Sequence, residues 1–461
     1  MFLSYPLFVL FAAAEPSVVF LGNSYTQYNN LPSLTSSLLQ ENVAGWDEIA
    51  YQTLTAGGLA LDDHAARVSR SDSEWSSIFQ QTNDIYILQD QSQTPAFGEG
   101  VSYFDNSLAG LIEIQEVIEQ QEAMTVLFLT WGRRDGDNQN PDWFPDYETM
   151  QEALNDGYLK YAERASNRSQ VYIAPIGPIF GAIKLQDEAL FRDLYSQDGS
   201  HPSELGSTTT ALGLVASLTG RSPAEISTDL EAEEEALIKA TVEQVILEDS
   251  VGHFPMPWVW DSVPEDGLVA HELMRPLLLL DENYEGDLNI PDGRLWLEGG
   301  RLQATVSLGE QSQFKIEGGE FLGNINGAVS LVSGGLQAES ISGSLIQQGG
   351  SIFLVDDLMI GESATLKYIE LIGEEACITA PAINIDNLEV SSTVSWEIIS
   401  GDSEILCLAQ LPATEPSSEP EDEAFVDDTE DSNSSTTKDS SCSGSGGLIV
   451  LSLLGFFRRR T

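Results

Sequence analysis

The sequence predicts an α/β domain with a parallel sheet, followed by an all-β module. In residues 15–250, apolar runs of strand length alternate with stretches whose apolar residues recur at helical spacing. From 284 to 412 this helical spacing is lost. Short β-prone runs such as RLWLEGG and QFKIEGG recur there instead, each bounded by Gly, Asn, Asp or Ser. These Gly-punctuated repeats favour a parallel β-solenoid over a β-sandwich.

Each element of the α/β domain has its own pattern. The strand-like runs are 18–21, 49–54, 84–88, 125–130 and 171–176. The helical stretches between and after them are 31–39, 108–122, 147–166 and 230–248. Strands and helices that alternate in this way form a doubly wound sheet. We therefore expect the functional side chains at the carboxyl ends of the strands. Residues 251–283, rich in Pro and Trp before a leucine run, are predicted to be a connector.

Both ends of the chain have the composition of targeting segments. Residues 1–14 form an apolar run that ends in three alanines, as in a cleaved signal peptide. Residues 413–441 are rich in Glu, Asp, Ser and Pro, which predicts a disordered acidic stalk. In 442–461 a Cys/Ser/Gly cluster precedes a short apolar run and an arginine cluster. A GPI signal would end in its apolar tail, not in arginines.

The order of these three parts resembles the bacterial C-terminal sorting signals of the GlyGly-CTERM and MYXO-CTERM kind. That resemblance implies transient attachment to the membrane through the tail, cleavage by a sorting protease, and export to the surface of a Gram-negative cell.

The charge and the cysteines exclude several classes of function. Seventy-three acidic residues against 20 basic ones give a net charge of −53, which argues against binding to nucleic acid or to an anionic membrane surface. The three cysteines are not spaced as a zinc site, although Cys377 and Cys407 could pair outside the cell. The chain has no H-E-x-x-H motif, Walker loop or G-x-G-x-x-G motif, so we predict no metal and no organic cofactor.

Two polar segments carry residues that could do chemistry. Ser24 follows the first predicted strand, in the segment VVFLGNSYT, and so stands at the carboxyl edge of the sheet. Asp198 and His201 lie three residues apart in DGSHP, just before the last helix of the domain. A histidine can take the proton of a serine hydroxyl while a carboxylate orients its ring. Each segment alone could be structural, as a helix cap or a His–Asp pair, but together they predict a catalytic triad.

Residues 17–250 thus resemble the SGNH/GDSL hydrolase superfamily, in the GNSYT block and the D-x-x-H block. The resemblance implies a three-layer, flavodoxin-like domain, with Ser24 as nucleophile and Asp198 and His201 as its base system. It also implies oxyanion donors in two further blocks. In the second block, TAGGLALDDH, this role falls to Gly58 or its neighbour Gly57. The third block normally reads G-x-N-D but is QDQSQTP here, so Gln91 replaces the Asn, with Gln89 as the competing choice.

Two further residues are candidates for the substrate cleft. His64 follows the paired glycines and either lines the pocket or is a surface or satisfied histidine. Trp131 follows the predicted strand 125–130 and either forms a wall of the cleft or packs in the core.

These observations predict an exported serine esterase that hydrolyses small acyl esters through an acyl-enzyme. The substrate could be an O-acetyl group on a carbohydrate. Transfer of the acyl group to a sugar hydroxyl instead of water is equally compatible with the residues. The alternative from another class is a non-catalytic cell-surface protein with a degenerate α/β domain, in which the β module binds glycan or builds an envelope layer.

Overall fold

A five-stranded parallel sheet forms the centre of the first half of the chain. The structure is a computed structural model that describes residues 16–165, 171–263, 274–372, 374–385, 388–390, 394–400 and 404–411. The strands are β1 (Ser17–Gly22), β2 (Ala50–Thr55), β3 (Ile85–Leu88), β4 (Met124–Leu129) and β5 (Val171–Pro175). Their order across the sheet is β2-β1-β3-β4-β5, and every neighbouring pair is parallel. This is the flavodoxin-like order, so the predicted fold class of this domain is confirmed.

Helices cover both faces of the sheet. They are α1 (Ser24–Gln27), α2 (Leu31–Asn42), α3 (Leu61–Val68), α4 (Glu74–Phe79), α5 (Ser102–Gln120), α6 (Tyr147–Ala165), α7 (Ile176–Gln186), α8 (Glu188–Asp193), α9 (Glu204–Thr219) and α10 (Ala232–Glu243). Short 3-10 turns occur at Tyr28–Asn30, Thr94–Phe97 and Pro223–Glu225. The helix predicted over 230–248 is α10 followed by one π-helical turn, Gln244–Asp249.

The alternation of side chains along β1 separates the two cores of this domain. Val18 and Phe20 belong to a buried cluster that includes residues of α2, α7, α9 and α10. Val19 and Leu21 belong to a second cluster, on the other face, with residues of α3, α5 and α6. Successive strand residues point to opposite faces, so a wholly apolar strand must be covered on both sides. The predicted three-layer arrangement follows from this.

The second half of the chain is a β-solenoid. Its strands are β6 (Val259–Trp260), β7 (Leu277–Leu280), β8 (Tyr284–Glu285), β9 (Leu288–Ile290), β10 (Arg294–Leu297), β11 (Arg301–Leu308), β12 (Gln313–Ile316), β13 (Glu320–Asn326), β14 (Val329–Leu331), β15 (Gly335–Ile341), β16 (Leu345–Gln347), β17 (Ser351–Leu354), β18 (Leu358–Ile360), β19 (Ser363–Thr365), β20 (Ile369–Leu371), β21 (Glu375–Ala380), β22 (Ala382–Asn384), β23 (Val394–Ser400) and β24 (Glu404–Gln410). One sheet runs β22-β19-β16-β14-β12-β10-β7-β6, and the other runs β23-β24-β21-β18-β15-β13-β11-β8.

Stacked turns explain the repeated glycine pairs in the sequence. Gly300, Gly319, Gly334 and Gly350 occupy equivalent turns between the two sheets and have φ values of +65°, +67°, +80° and +70°. A Cβ on Gly319 would lie 2.6 Å from backbone atoms of the preceding turn. Only glycine combines this left-handed backbone with so close an approach. The pattern that favoured a solenoid over a sandwich therefore comes from turn geometry, and the solenoid is confirmed.

The ladder of the solenoid begins before the predicted boundary at residue 284. Strands β6 and β7 lie within the segment predicted as a connector but pair in the first solenoid sheet. At this junction the buried Trp258 donates its indole N–H to the Ser217 carbonyl at 3.0 Å. The guanidinium of Arg294 lies over the Trp258 ring, 4.7 Å from its centre, and also binds the Gly220 carbonyl at 3.1 Å. In the leucine run, Leu277 belongs to the buried cluster of α2, α7, α9 and α10, whereas Leu278 and Leu280 belong to the core of the solenoid.

An antiparallel hairpin closes the far end of the solenoid. Strands β23 and β24 pair with each other, and β24 pairs antiparallel to β21. Cys377 and Cys407 are directly opposite each other in this pairing and form a disulfide. The hairpin covers an edge that would otherwise present unpaired backbone groups to another chain. The pairing that the sequence leaves possible for these two cysteines is thus present.

Several predictions concern residues outside the described parts of the chain. They are the signal peptide at 1–14, the stalk at 413–441 and the sorting tail at 442–461. In the part that is described, none of the helices has both the length and the apolar character required to cross a bilayer.

Removal of the disulfide is expected to destabilise the solenoid. Replacing Cys377 and Cys407 by serine should lower the free energy of unfolding of the solenoid by about 2–4 kcal/mol, because the bond closes a loop in the unfolded chain. Urea denaturation followed by tryptophan fluorescence measures this. Cys442→Ser is the matched control and should change nothing. Equal stability of the double variant and the parent would contradict the prediction.

Candidate active site

The structure brings Ser24, His201 and Asp198 together at the carboxyl edge of the parallel sheet. Ser24 is the first residue of α1, directly after β1, while Asp198 and His201 lie in the turn between α8 and α9. His201 Nε2 is 2.8 Å from Ser24 Oγ. On the other side of the ring, His201 Nδ1 is 2.6 Å from Asp198 Oδ2. The three side chains form one continuous line of hydrogen bonds, with the geometry of a nucleophile, a base and an orienting acid.

The protonation of this line follows from its acceptors. Burial acts to raise the pKa of Asp198, but hydrogen bonds from the His201 ring and from the N–H groups of Ser200 and His201 outweigh it and hold the pKa below its usual value. Asp198 is therefore a carboxylate at neutral pH and accepts the proton that His201 carries on Nδ1. In the neutral imidazole, Nε2 is then left as the acceptor for the Ser24 hydroxyl.

Buried aromatic side chains support the turn that carries Asp198 and His201, here called the acid–base turn. The indole N–H of Trp131 donates to the Ser200 carbonyl at 3.0 Å. Its ring stacks on Tyr25, with centroids 5.1 Å apart, and the Tyr25 hydroxyl is 2.8 Å from Ser200 Oγ. Trp131 is 0% exposed. Trp131 therefore packs in the core and does not form a wall of the cleft. Its indole is fully enclosed, and its N–H holds the turn that carries His201.

Tyr28 stacks on the imidazole of His201, and Asn29 keeps Tyr28 in this position. The Tyr28 ring stacks on His201 with centroids 4.2 Å apart and planes inclined by 15°. Asn29 has a φ of 50°, a left-handed conformation that asparagine tolerates better than most residues. Its side-chain amide donates to the Ser203 carbonyl and to Ser207 Oγ, both at 2.9 Å. The segment after the nucleophile is thereby tied to the start of α9, and Tyr28 is held on the histidine ring.

Asn23 joins the loops that follow three neighbouring strands. Its Nδ2 donates to the carbonyls of Leu59, at 3.0 Å, and of Asp90, at 3.2 Å. Its Oδ1 accepts the N–H of Tyr25 at 3.1 Å. A carboxylate in this position could not donate to the two carbonyls. The asparagine of the Gly-Asn-Ser segment therefore holds the turn of the nucleophile against both loops that carry the predicted oxyanion donors.

The glycine loop follows β2, next to the end of β1. Gly22 pairs with Thr55 at the last position of the two strands, so Gly57 and Gly58 come just after this edge. Gly58 has a φ of +73°, which favours glycine. The space around the Cβ positions of both glycines is open. The loop thus presents backbone on the side of the sheet where Ser24 lies.

The structure distinguishes between the two glutamines of the third block. Gln89 is fully buried, and its Oε1 accepts the Asn23 N–H and the Thr26 hydroxyl, each at 2.9 Å. Its Nε2 donates to the Asp90 carbonyl, so both ends of this amide are used inside the protein. Gln91 is partly exposed, and its Oε1 accepts the Gln93 N–H at 2.8 Å. This contact orients the Gln91 amide so that Nε2 is the end left for another acceptor. Gln89 is therefore a structural support, and Gln91 is the partly exposed amide of the two.

His64 lies inside the protein and does not line the cleft. It is 0% exposed, and its Nδ1 accepts the indole N–H of Trp75 at 2.9 Å. Burial, with a smaller effect of the Arg67 charge, lowers its pKa to about 4, so the ring is neutral. Its complete burial excludes both a place in the wall of the cleft and a place on the surface, because α3 turns this side chain into the core.

Asp90 is a buried carboxyl group that links the second and third loops. Its Oδ1 accepts the N–H groups of Leu61, at 3.0 Å, and Gln91, at 2.7 Å. Its Oδ2 accepts the hydroxyls of Ser107, at 2.7 Å, and Tyr161, at 2.9 Å. Burial raises the pKa of Asp90 to about 6, against the lowering effect of these hydrogen bonds.

Sequence reasoning missed Asn23, Tyr28, Asn29 and Asp90 as parts of the site. A sequence pattern does mark Asp90, which is an acid two residues after the end of a buried strand and between two glutamines. The partners of Tyr28 and Asn29 lie more than 170 residues further along the chain, so no local pattern marks them. Among the described residues, no group of three or more His, Cys, Asp or Glu side chains is placed to hold a metal ion.

Stacking on the histidine predicts a catalytic effect for Tyr28. Tyr28→Leu should lower kcat about tenfold, because the loss of the stacked ring lets the imidazole turn away from Ser24 Oγ. Tyr28→Phe keeps the ring and should keep most of the rate. Steady-state kinetics on p-nitrophenyl acetate measures both. A Phe variant as slow as the Leu variant would show that stacking is not the cause.

Asp90 predicts a specific dependence of stability on pH. Its pKa in the folded protein, about 6, is above the unfolded value of 3.8, so the folded state holds the proton more tightly. The stability that this proton contributes is present at low pH and is lost as the pH rises through about 6. The difference in free energy of unfolding between the parent and Asp90→Asn should therefore fall by roughly 2–3 kcal/mol from pH 4 to pH 7.

Urea titrations at a series of pH values measure this difference. The exposed Asp105→Asn is the control and should show no such trend. A difference that grows with pH would contradict the prediction, since it would mean that the four donors hold Asp90 ionised.

Comparison with known proteins gives similarity to solved structures alone. No protein-family model matches the sequence, and no curated protein matches it. A candidate SGNH hydrolase from Slackia heliotrinireducens is 21% identical, with a TM-score of 0.36 over 44% of this chain and 97% of its own. A DUF4886 family protein from Bacteroides uniformis is 17% identical, with a TM-score of 0.42 over 51% and 96%. An acetylxylan esterase from Geobacillus stearothermophilus, in a catalytic mutant form, is 15% identical, with a TM-score of 0.33 over 44% and 94%. The fold described above rests on the order of the strands and not on these similarities.

Proposed function

We propose that this protein is a serine hydrolase that cleaves small acyl esters through an acyl-enzyme. One observation carries the proposal: the line of hydrogen bonds from Ser24 Oγ through His201 to Asp198, with distances of 2.8 Å and 2.6 Å. Nucleophile, base and orienting carboxylate are in the order that activates a serine hydroxyl.

The first half of the reaction makes the acyl-enzyme. His201 Nε2 takes the Ser24 hydroxyl proton as Ser24 Oγ attacks the ester carbonyl carbon. The resulting imidazolium is stabilised by Asp198. When the tetrahedral intermediate collapses, the bond between the carbonyl carbon and the alkoxy oxygen breaks, and His201 returns the proton to the leaving alcohol.

Water completes the second half. His201 takes a proton from water, whose oxygen attacks the acyl carbon, and then returns the proton to Ser24 Oγ as the acid leaves. In both halves, negative charge develops on the carbonyl oxygen. The proposed donors to this oxygen are the N–H groups of Ser24 and Gly58 and the Nε2 amide of Gln91. The hydrogen bond from the Gln93 N–H to Gln91 Oε1 supports the proposed role of Nε2. A donor that is oriented in advance need not reorganise as charge develops.

We propose a small acyl group, such as acetate on a carbohydrate, as the substrate, and the outside of the cell as the place of action. The disulfide between Cys377 and Cys407 supports export, because such bonds persist in oxidising compartments. The strongly acidic composition, with a net charge of −53, suits a neutral substrate better than an anionic one. Transient membrane attachment through the C-terminal tail and its removal by a sorting protease are part of the same proposal.

Ser24→Ala tests the proposal directly. The variant should lose about 1000-fold or more in kcat on p-nitrophenyl acetate, because the nucleophile is gone. It should also fail to react with a fluorophosphonate probe that labels the parent. Ser102→Ala, at an exposed serine that begins α5, is the matched control and should behave as the parent does. Unchanged turnover by the Ser24 variant, or an unlabelled parent, would rule out the proposed mechanism.

A further inference from the structure

Three aromatic rings lie together on the carboxyl side of the sheet, apart from the triad. They are Phe97, Tyr103 and Trp143, here called the aromatic platform. The Phe97 ring centre is 5.5 Å from that of Tyr103 and 5.6 Å from that of Trp143. Tyr103 is 65% exposed and Trp143 is 52% exposed, while Phe97 is partly buried between them. Rings of this size are rarely so exposed together unless they bind something.

Two of the three platform residues lie in loops that follow the strands next to the candidate site, and Tyr103 is the second residue of α5. Phe97 ends the 3-10 turn Thr94–Phe97, shortly after Gln91 in the loop that follows β3. Trp143 is in the next loop, which follows β4. This second loop contacts the acid–base turn, where the Arg134 N–H donates to the Gly199 carbonyl at 2.9 Å. Phe97 and Trp143 therefore follow the carboxyl ends of β3 and β4, on the side of the sheet where Ser24 follows β1.

The loop that carries Trp143 is held in place before any ligand arrives. Asp137, which is 1% exposed, accepts hydrogen bonds from the side-chain amides of Gln93, at 2.7 Å, and Asn140, at 2.8 Å, and forms an ion pair with Arg133. The Trp143 N–H donates to the Asn140 carbonyl at 3.0 Å. A loop that is ordered in advance loses little entropy on binding.

We propose that the aromatic platform is a binding subsite for a neutral carbohydrate chain that carries the ester. This inference rests on the proposed function and names its substrate class as an acylated oligosaccharide or polysaccharide. The planes of Tyr103 and Trp143 are inclined by 35° and 79° to that of Phe97, so each exposed ring offers a face of its own. Such faces suit the C–H faces of pyranose units, which stack on aromatic surfaces. Exposed carboxamides in the same loop, Asn138 and Gln139, offer donors and acceptors for sugar hydroxyls. A net charge of −53 disfavours polyanionic chains and anionic lipid surfaces.

The test compares substrates that do and do not reach the platform. Tyr103→Ala combined with Trp143→Ala should raise KM for O-acetylated hexasaccharides of xylose, glucose or mannose about tenfold, since two stacking contacts are lost. The kcat values, and all kinetics on p-nitrophenyl acetate, should stay within about twofold of the parent. Tyr103→Phe combined with Trp143→Phe keeps two rings and should restore most of the affinity. Trp396→Ala, at a 44% exposed tryptophan in β23, is the matched control.

The outcomes separate this inference from the proposed function. Unchanged KM for every hexasaccharide, or no cleavage of any of them by a parent that cleaves p-nitrophenyl acetate, would overturn the subsite and leave the esterase intact. An equal loss on p-nitrophenyl octanoate would also overturn it, in favour of a groove for the acyl chain. If Ser24 proves inert, gel retardation by unmodified xylan and glucomannan still tests the platform. Retardation that disappears in the Tyr103/Trp143 double variant supports a carbohydrate site, and an equally unretarded parent contradicts it.

Discussion

The carboxamide of Asn23 is the contact on which the rest of the site depends. Three parallel strands end side by side at one edge of the sheet, and each is followed by a loop that could move independently. Asn23 donates to one carbonyl in each of the two neighbouring loops and accepts from the first turn of the nucleophile helix. The carboxyl group of Asp90 also joins these two loops, because it accepts one N–H from each of them. Ser24 and the proposed oxyanion donors are therefore held as one unit.

The base system is held by a second set of contacts that are largely aromatic. Trp131 supports the turn from within the protein, and Tyr28 covers the outward face of the imidazole. Asn29 adopts a left-handed backbone conformation, and this keeps the Tyr28 ring on the imidazole. Strained backbone of this kind is common in functional sites. These contacts and the hydrogen bond to Asp198 together restrict the rotation of the imidazole that faces Ser24 Oγ.

Much of the fold could be predicted from the sequence because its signals are local. Apolar runs buried on both faces mark the strands of a parallel sheet, and repeated glycine pairs mark stacked turns of a solenoid. The boundary at 284 was less accurate, since the leucine run of β7 looks the same in a connector as in a strand until its partner β10 is known. The roles of Trp131 and His64 were left open because a single residue pattern does not show which way a helix or loop turns a side chain.

The sequence by itself determined the order of the elements, the sheet edge on which the candidate site lies, and the choice of Ser24, Asp198 and His201 as its residues. It did so because strand alternation, turn glycines and a Ser with a distant Asp-x-x-His are readable without contacts. Only the tertiary structure decided which glutamine faces outward, how Asn23 and Asp90 join the loops, and that Tyr28 lies on His201. Those contacts join residues far apart in the chain, and their geometry follows from how strands pair and helices pack, which no local pattern encodes.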